Sequence, residues 1–422
     1  MTSASIPSDR LAAPVRDDLR IKLVLLASLY VSQAIPLGFF TVALPAILRR
    51  QGRPLEQIGL VSALALPWLL KFLWAPLVDR FGASRFGHFR SWILPLQTLS
   101  ALSVVVLALL DPTRQLGLLV ATGALFMLLA ATQDIATDGL AVHSLRFVER
   151  GPANGLQVGG YYLGLILGGG VVLVLFERLG WRLALLAMAA CLALPLLPLV
   201  RFREAARASA PIGSRPGFGA LASFLRRPGG GRWLAVVLVY RAAETAALTM
   251  FNPLLVDLGR SLEEIGVLLG MVNAAASLAG AMLGGLAVIR LGRRRALSWF
   301  ALALAGAVAL LVLPARGSGA AMLCAAAVAV AFAGGLATAT LYTNMMDACS
   351  SESAATDFTL QQSMAAVGPL VASSVSGLVA ARLGYQGLFV LASLLAAAVA
   401  WLVAGTRMPS EQRAALARGP QA

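Results

Sequence analysis

Long apolar stretches separated by short polar connections follow one another along most of the chain. An α-helix needs about 20 residues to cross a bilayer, and each stretch is close to that length. They cover residues 21–48, 58–78, 92–110, 116–142, 155–176, 183–200, 233–256, 265–289, 296–314, 320–346, 357–381 and 386–404. This pattern predicts an all-α integral membrane protein with twelve transmembrane helices. Because twelve is even, we expect both termini on the same side of the bilayer.

Composition and charge agree with a membrane protein. Of the 422 residues 59% are hydrophobic and 13% are charged, which excludes a soluble globular protein. The net charge of +15 comes from arginines that punctuate the apolar stretches, so it does not form the clustered face of a nucleic-acid-binding protein. Basic residues are more than twice as frequent on the side of the termini as in the opposite loops. The positive-inside rule therefore predicts cytoplasmic termini.

The chain divides into two similar halves. Residues 201–232 are rich in arginine, proline and glycine and read as a linker between the sixth and seventh stretches. Residues 75–82 resemble residues 285–292, and residues 178–181 resemble residues 382–385. We therefore predict an N-terminal six-helix bundle at 1–200, a cytoplasmic linker at 201–232 and a C-terminal six-helix bundle at 233–422. Parallel six-helix repeats are the layout of major facilitator transporters.

The loop after the second stretch has a distinctive composition. It reads Asp79-Arg80-Phe81-Gly82, with Arg85 shortly after. An acidic residue at a helix end, a glycine turn and arginines can hold neighbouring helices together in one of two conformations. The loop resembles the signature loop of the major facilitator superfamily. We therefore predict a conformational latch at these residues.

Asp138 and the second copy of the loop complete this prediction. Asp138 is expected near the same end of the fourth stretch, as a partner for Arg80 or Arg85. The second copy has Ile289 in place of the acidic residue. We therefore assign the latch to the first half only.

Four ionisable residues inside the apolar stretches are candidates for proton and substrate coupling. They are Lys71, Asp134, Arg241 and Glu244. Charged groups in the membrane are costly and mark transport pathways or local ion pairs. We expect Lys71 to face a cavity and to pair with Asp134 or with an anionic substrate. Arg241 and Glu244, three residues apart, form either a structural pair or a substrate site.

A carboxylate among these residues is the expected proton carrier, with Asp134 or Glu244 the best candidates. Protonation would weaken its attraction to Lys71 or Arg241 and so shift the balance between conformations. Neutral polar residues inside the stretches are candidate lining of a central cavity. They are Gln33, Gln133, Gln157, Tyr161, Asn344 and Gln361. Gln157 and Gln361 occupy matching positions of the two halves, and they either face the cavity or form hydrogen bonds between helices.

Three segments of the first half resemble one branch of the superfamily, the AmpG-like permeases. They are residues 71–80, 133–139 and 157–164. The resemblance implies a proton-coupled importer of the bacterial inner membrane that works by alternating access. Residues 357–362 look closer to the siderophore permeases of this group, and 422 residues leave no room for the two additional helices of many muropeptide permeases. We therefore expect a siderophore or its iron complex as substrate, with a muropeptide or peptide as the alternative.

Other classes of function are disfavoured. The sequence has no G-x-x-x-x-G-K-[ST] loop for ATP, and its two histidines belong to no HExxH motif. A channel would not require two six-helix repeats. We expect neither an enzyme nor a nucleic-acid-binding protein, and we expect a monomer in the lipid bilayer without cofactor or metal, whose partners are a small molecule and protons. The direction of transport stays open at this point.

Overall fold

The computed structural model describes residues 15–406 apart from 55–57, 60, 62, 83–85, 113, 205–216 and 318. Throughout this part of the chain the regular structure is helical. The α-helices are Val15–Gly38, Leu44–Arg50, Leu66–Leu70, Ala75–Arg80, Arg90–Leu109, Leu116–Ser144, Arg150–Ile166, Val172–Ala193, Leu196–Arg201, Gly219–Arg226, Gly230–Tyr240, Ala242–Asp257, Leu262–Gly266, Asn273–Leu291, Arg293–Leu310, Ala320–Ala348 and Ala354–Ala404. Short π-helical turns at Phe39–Ala43, Leu167–Val171 and Val267–Val272 join some of them into longer rods.

Twelve spans result from this arrangement. Within the described residues nine helices are long and apolar enough to cross a membrane. Two of them, Phe147–Arg201 and Ala354–Ala404, double back at Gly180 and Gly384, where φ is +77° and +70°. Only glycine adopts such a left-handed conformation at little cost. A short broken segment at 63–80 completes the twelve, and the predicted number of spans is confirmed.

We number the spans in chain order. Spans 1 to 6 are Leu19–Arg50, 63–80, Arg90–Leu109, Leu116–Ser144, 150–179 and 181–201. Spans 7 to 12 are Gly230–Asp257, 262–291, Arg293–Leu310, Ala320–Ala348, 354–383 and 385–404. Odd spans of the first half run away from the end of the bundle near both termini, which we call the terminal end.

Span 2 differs from the continuous helix expected at 58–78. It consists of Leu66–Leu70, the 3₁₀ turn Lys71–Leu73 and Ala75–Arg80. Pro67 and Pro76 lie in the first turns of the two α-helical pieces. Proline has no N–H donor for the preceding turn, so a helix begins there and the segment breaks. The break places the backbone of Lys71 in the middle of the bundle.

Span 7 is interrupted in a similar way. Helix Gly230–Tyr240 ends at Arg241, where φ is −100° and ψ is 0°, and helix Ala242–Asp257 follows directly. Discontinuous helices commonly surround the binding sites of secondary transporters. Both breaks carry a basic residue.

Glycines allow close packing between spans. Gly164 and Gly168 of span 5 lie against the backbone of span 1, and Gly280 and Gly284 of span 8 lie against span 10. A side chain at any of these glycines would collide with backbone atoms. Small residues let transmembrane backbones approach in this way.

The buried apolar residues form three main clusters, and their distribution shows where the halves meet. One cluster draws on both halves at the terminal end and includes Phe89, Leu145, Trp233 and Met345. The other two lie towards the opposite end, one built from residues 35–192 and the other from residues 243–396. The halves are therefore packed together at the terminal end and separate towards the opposite end.

The stretch expected as a linker at 201–232 contains a helix, Gly219–Arg226, which the sequence analysis missed. Two of its charged residues bind to the bundles. Glu204 accepts hydrogen bonds from the backbone N–H groups of Phe89 and Arg90 at 3.2 and 2.9 Å, which caps span 3. Arg227 donates to Asp357 at 2.7 Å.

Candidate functional site

A cavity of about 740 Å³ lies between the two halves. Spans 1, 2, 4 and 5 line one side and spans 7, 10 and 11 line the other. Its lining extends along span 1 from Tyr30 to Leu37 and along span 11 from Gln362 to Leu370. Both directions lead away from the terminal end. The cavity thus begins in the middle of the bundle and extends towards the end opposite the termini.

Lys71 lies on the cavity wall of the first half and is only 3% exposed. Its Nζ contacts Asp134 Oδ2, so the structure brings together the two residues that the sequence suggested as partners. The same Nζ donates to Gln362 Oε1 of span 11 at 2.5 Å and lies 5.2 Å from the ring centroid of Trp68. The ammonium group therefore links the two halves, and its charge is balanced by a carboxylate and an aromatic face.

Arg241 occupies the cavity wall of the second half. Its Nε donates to Glu244 Oε2 at 3.3 Å, while about a quarter of its side chain is exposed. Glu244 is buried between spans 7 and 10, against Gly334. Tyr162 and Tyr342 lie beside the guanidinium group. Each half thus places one basic group in the wall of the same cavity, and each of these groups pairs with a carboxylate of its own half.

Asp138 lies away from the predicted latch. It is completely buried, and its Oδ1 accepts hydrogen bonds from Tyr30 Oη at 3.3 Å and from Gln157 Nε2 at 3.0 Å. Among the described residues, these contacts replace the expected pairing of Asp138 with Arg80, and the alternative partner Arg85 lies outside the described residues. The helical rise explains the error, because Asp138 still lies well above the last turn of span 4 at Ser144.

Three of the six expected cavity residues line the cavity, namely Gln33, Gln157 and Tyr161. The other three, Gln133, Asn344 and Gln361, form hydrogen bonds outside the cavity. Gln133 donates to Gln97 Oε1 of span 3, and Asn344 donates to Thr340 O of its own helix at 2.9 Å.

Gln361 is the third residue that the cavity does not include. Its Oε1 accepts from Trp233 Nε1 at 2.6 Å, while its neighbour Gln362 reaches the cavity. Successive residues of a helix point about 100° apart, so only one of two adjacent side chains faces a given wall.

Several cavity residues were missed as site residues by the sequence analysis. They are Tyr30, Trp68, Tyr162, Tyr342 and Gln362. A signal existed for Trp68, because it stands three residues before Lys71 and so shares its helix face. For the others, only the packing of the spans decides which side faces the cavity.

Asp79 binds across the halves at the terminal end. Its Oδ2 accepts from the backbone N–H and the Oγ1 of Thr356, both at 2.7 Å, and its Oδ1 accepts from the backbone N–H of Ala355 at 3.2 Å. These groups belong to the first turn of span 11. The N–H groups of a first helical turn have no partner within the helix, and the helix dipole favours an anion there.

The remaining latch residues surround this contact. The guanidinium group of Arg80 lies 5.6 Å from the ring centroid of Phe81, and Arg85 lies outside the described residues. A side chain at Gly82 would collide with the ring of His88. Of the latch residues that the structure describes, Asp79 is the one whose hydrogen bonds, given above, reach the first turn of span 11.

A second set of contacts between the halves lies on the other side of the terminal end. Arg150 of span 5 donates to Asp347 Oδ1 at 2.9 Å, and Arg293 of span 9 donates to Asp347 Oδ2 at 2.6 Å. Arg293 also donates to Phe147 O at 2.5 Å. Contacts between the halves are therefore not confined to the loop of the first half. In the second half the carboxylate that takes part is Asp347 of span 10, and residue 289 is an isoleucine.

Spans 5 and 8 touch directly between these contacts. Gly151 and Gly285 are so close that a side chain on either would meet the backbone of the other. We call the contacts of Asp79, of Asp347 and of this glycine pair the terminal seal. Among the described residues no cluster of three or more histidine, cysteine or acidic side chains could hold a metal ion.

Comparisons with known proteins agree with this architecture. Residues 233–421 match the family described as Major Facilitator Superfamily, and residues 22–115 match the family described as Acetyl-coenzyme A transporter 1. Among solved structures, the human organic anion transporter MFSD10 aligns with a TM-score of 0.70 at 18% identity over 91% of this chain and 99% of that one. The transporter FucP in its outward conformation aligns with a TM-score of 0.67 at 14% identity over 92% and 98%. The chain has the major facilitator fold.

Relatives in sequence correct one expectation. The chain is 27% identical to the anhydromuropeptide permease of Escherichia coli over 88% of its own length and 76% of the relative. It is 28% identical to an uncharacterized protein of Haemophilus influenzae over 67% and 68%, and 26% identical to the putative transporter AmpG 4 of Rickettsia conorii over 62% and 66%. The expected siderophore branch is therefore wrong, because the named relatives are of the muropeptide and AmpG type.

Proposed function

We propose that this protein is a secondary transporter that imports an anhydromuropeptide-type molecule across the bacterial inner membrane, coupled to protons. The halves at 1–200 and 233–422, joined by the linker at 201–232, rock around the central cavity. The observation that carries the proposal is a cavity between the halves with one basic group on each wall, Lys71 and Arg241. Major facilitator transporters place substrate sites at the interface of their repeats.

The lining of the cavity fits the chemistry of such a substrate. A muropeptide combines sugar rings with a peptide that carries carboxylates. Trp68, Tyr161 and Tyr342 offer ring faces and hydroxyl groups for sugars, and the basic groups offer partners for carboxylates. The volume of about 740 Å³ lies within the range of about 300–1,000 Å³ that is typical of small-molecule sites. The relatives named above support this substrate class.

The proposed direction of transport rests on the predicted orientation together with the proposed coupling to protons. With cytoplasmic termini, as the positive-inside rule predicts, the cavity faces the periplasm and the terminal seal closes the cytoplasmic side. The inward proton gradient then favours movement of substrate and proton into the cell. Asp134 and Glu244 act as the resident partners of the basic groups, and a substrate carboxylate competes with them for Lys71 and Arg241.

The test is uptake into proteoliposomes. We expect wild-type protein to accumulate a radiolabelled anhydromuropeptide when the outside is acidic. Arg241→Gln removes a charge-assisted contact worth about 1.5–3 kcal/mol, so KM rises about 10-fold to 100-fold. Arg50→Gln is the matched control, because Arg50 pairs with Glu177 at the exposed surface away from the cavity. Absence of accumulation by the wild-type protein would refute the proposed function.

A further inference from the structure

Asp138 lies deeper in the protein than the four charged residues considered above. It is 0% exposed, whereas Asp134, on the same helix, is 4% exposed and lines the cavity. The two aspartates are four residues apart, which is about 6 Å along a helix. Since span 4 runs towards the terminal end, Asp138 is displaced from Asp134 in that direction. A buried carboxylate at this depth requires a reason, because an ionised group in a low-dielectric interior is costly.

The surroundings of Asp138 differ from those of Asp134. Asp134 is paired directly with the ammonium group of Lys71. The hydrogen bonds that Asp138 accepts come from neutral groups, the hydroxyl of Tyr30 on span 1 and the amide of Gln157 on span 5. Neutral donors stabilise a carboxylate less than a directly paired cation does, so protonation costs less at Asp138 than it would in an ion pair.

Other groups face Asp138 from the remaining elements around it. Lys71 of span 2, Tyr342 of span 10 and Asp134 of its own helix lie within electrostatic range, and the amide of Gln362 on span 11 lies beside it. Lys71 and Asp134 form one neutral pair. With Asp138 ionised, the cluster carries one uncompensated negative charge, and with Asp138 protonated it carries none.

Asp138 is also situated between the cavity and the terminal seal. On one side, its partners Tyr30 and Gln157 line the cavity. On the other side, the next residue, Gly139, packs against the ring of Phe89 and against Ala355, so that an added side chain would collide with both. Ala355 donates its backbone N–H to Asp79 in the seal. One hydrogen bond therefore separates the carboxyl group from the cavity, and one layer of packing separates it from the seal.

From this placement we propose that Asp138 is the carboxyl group that carries the coupled proton, an inference that rests on the proposed function. While the cavity is open, the carboxylate takes up one proton from solvent in the cavity, next to Tyr30 and Gln157. When the cavity closes and the contact of Asp79 with Ala355 breaks, solvent from the terminal side reaches the carboxyl group and accepts the same proton.

The same two side chains connect proton and substrate. Tyr30 and Gln157 contact Asp138 and are available to a molecule in the cavity. A substrate that uses the Tyr30 hydroxyl or the Gln157 amide removes a donor from the carboxylate. Loss of such a donor favours the protonated form. Substrate binding and proton uptake therefore support each other.

The experiment compares Asp138→Asn with Asp134→Asn in proteoliposomes, using a labelled anhydromuropeptide in two assays. Accumulation driven by a pH gradient requires coupling, whereas counterflow against unlabelled substrate on the other side does not. We expect Asp138→Asn to lose accumulation at least 10-fold while counterflow stays within 3-fold of wild type and becomes independent of pH. We expect Asp134→Asn to reduce both assays together, with the remaining accumulation still dependent on the pH gradient.

Asp257→Asn is the matched control. Asp257 also accepts a hydrogen bond from a tyrosine, Tyr385, at 2.6 Å, but it lies near the opposite end, outside the cavity. We expect unchanged accumulation and counterflow. Tyr30→Phe provides a second test that retains the carboxyl group, and it should move the pH midpoint of counterflow to higher pH because the ionised form loses a donor.

The outcomes separate this inference from the proposed function. If wild-type protein shows neither accumulation nor counterflow, the proposed function is wrong. If wild type is active and Asp138→Asn accumulates substrate at the wild-type level, Asp138 does not carry the proton. If Asp138→Asn loses counterflow as well as accumulation while remaining folded, or if Asp134→Asn shows the uncoupled behaviour instead, the assignment to Asp138 is also wrong.

Discussion

Two adjacent glutamines on span 11 illustrate how one residue step changes the role of a side chain. Gln361 is completely buried and holds Trp233 Nε1, Met345 O and Asp357 O within the second half. Gln362 reaches across the cavity to Lys71 of the first half. The first side chain stabilises one bundle, and the second is available to exchange partners.

Alanine substitutions at these glutamines should therefore have different effects. Gln361→Ala leaves the buried Trp233 N–H without its acceptor, which costs about 1–3 kcal/mol, so we expect a lower Tm and an unchanged KM. Gln362→Ala should leave Tm unchanged and alter KM for the anhydromuropeptide. Thermal unfolding in detergent and uptake kinetics measure the two quantities. If Gln361→Ala altered KM and Gln362→Ala lowered Tm, the roles assigned to the two residues would be wrong.

Charged site residues are easier to predict from the sequence than neutral ones. Lys71, Asp134, Arg241 and Glu244 could be predicted as site residues because a charge within an apolar span is costly wherever it points. A glutamine or tyrosine has no such cost, and its role depends on the rotation of its helix against the neighbours. This is why Gln133 and Gln361 were expected in the cavity in place of Gln362.

At the scale of elements, the number of spans was predictable and their interruptions were not. The repeat of residues 178–181 at 382–385 contains both glycines, Gly180 and Gly384, at which paired spans double back. The sequence predicts a continuous span 2, because a hydropathy average over the segment does not register Pro67 and Pro76 as helix breaks. The second contact set of the seal was missed since Asp347 lies far along the chain from Arg150 and Arg293, and no local motif unites them.

The crossing of spans 5 and 8 permits a prediction about one element pair. Because Gly151 and Gly285 touch backbone to backbone, Gly285→Leu should force the spans apart and open the terminal end. Cys349 is buried at that end and serves as a reporter after Cys191 and Cys324 are replaced by serine. We expect its labelling by a membrane-permeant maleimide to accelerate at least 5-fold.

The control for this variant is Gly306→Leu. Gly306 lies in span 9, with open space where its side chain would be. Its labelling rate should equal that of the parent protein. Equal rates in both leucine variants would show that the contact between spans 5 and 8 does not hold the terminal end closed.

At the scale of the whole molecule, the apolar clusters and the seal define a single state. The halves share one core at the terminal end and have separate cores towards the opposite end. Two groups of polar contacts reinforce the shared end. One joins span 2 to span 11 through Asp79, and the other joins span 5 to spans 9 and 10 through Asp347. Conversion to a state that is open at the terminal end must break both groups of contacts.

The arrangement of these contacts predicts how the free-energy effects of removing Asp79 and Asp347 combine. Asp79→Asn removes a charge from the first turn of span 11, an effect of about 1–2 kcal/mol. Asp347→Asn leaves Arg150 and Arg293 facing each other without their carboxylate, which costs about 3 kcal/mol for a buried group. The two sites share no partner, so their free energies should add. Each variant shifts the population towards a terminal end that is open.

We therefore expect the labelling rate of Cys349 to rise about 5-fold to 30-fold in Asp79→Asn and further in Asp347→Asn, with the double variant showing the product of the two factors until opening is complete. Tm measured in detergent serves as a check that each variant remains folded. If Asp347→Asn is still below the rate of complete opening, a double variant that is labelled no faster than Asp347→Asn would mean that one contact set alone holds the terminal end closed. In that case the contact of Asp79 with span 11 follows closure without contributing to it, since removing a contact that stabilises the closed state must always raise the open population.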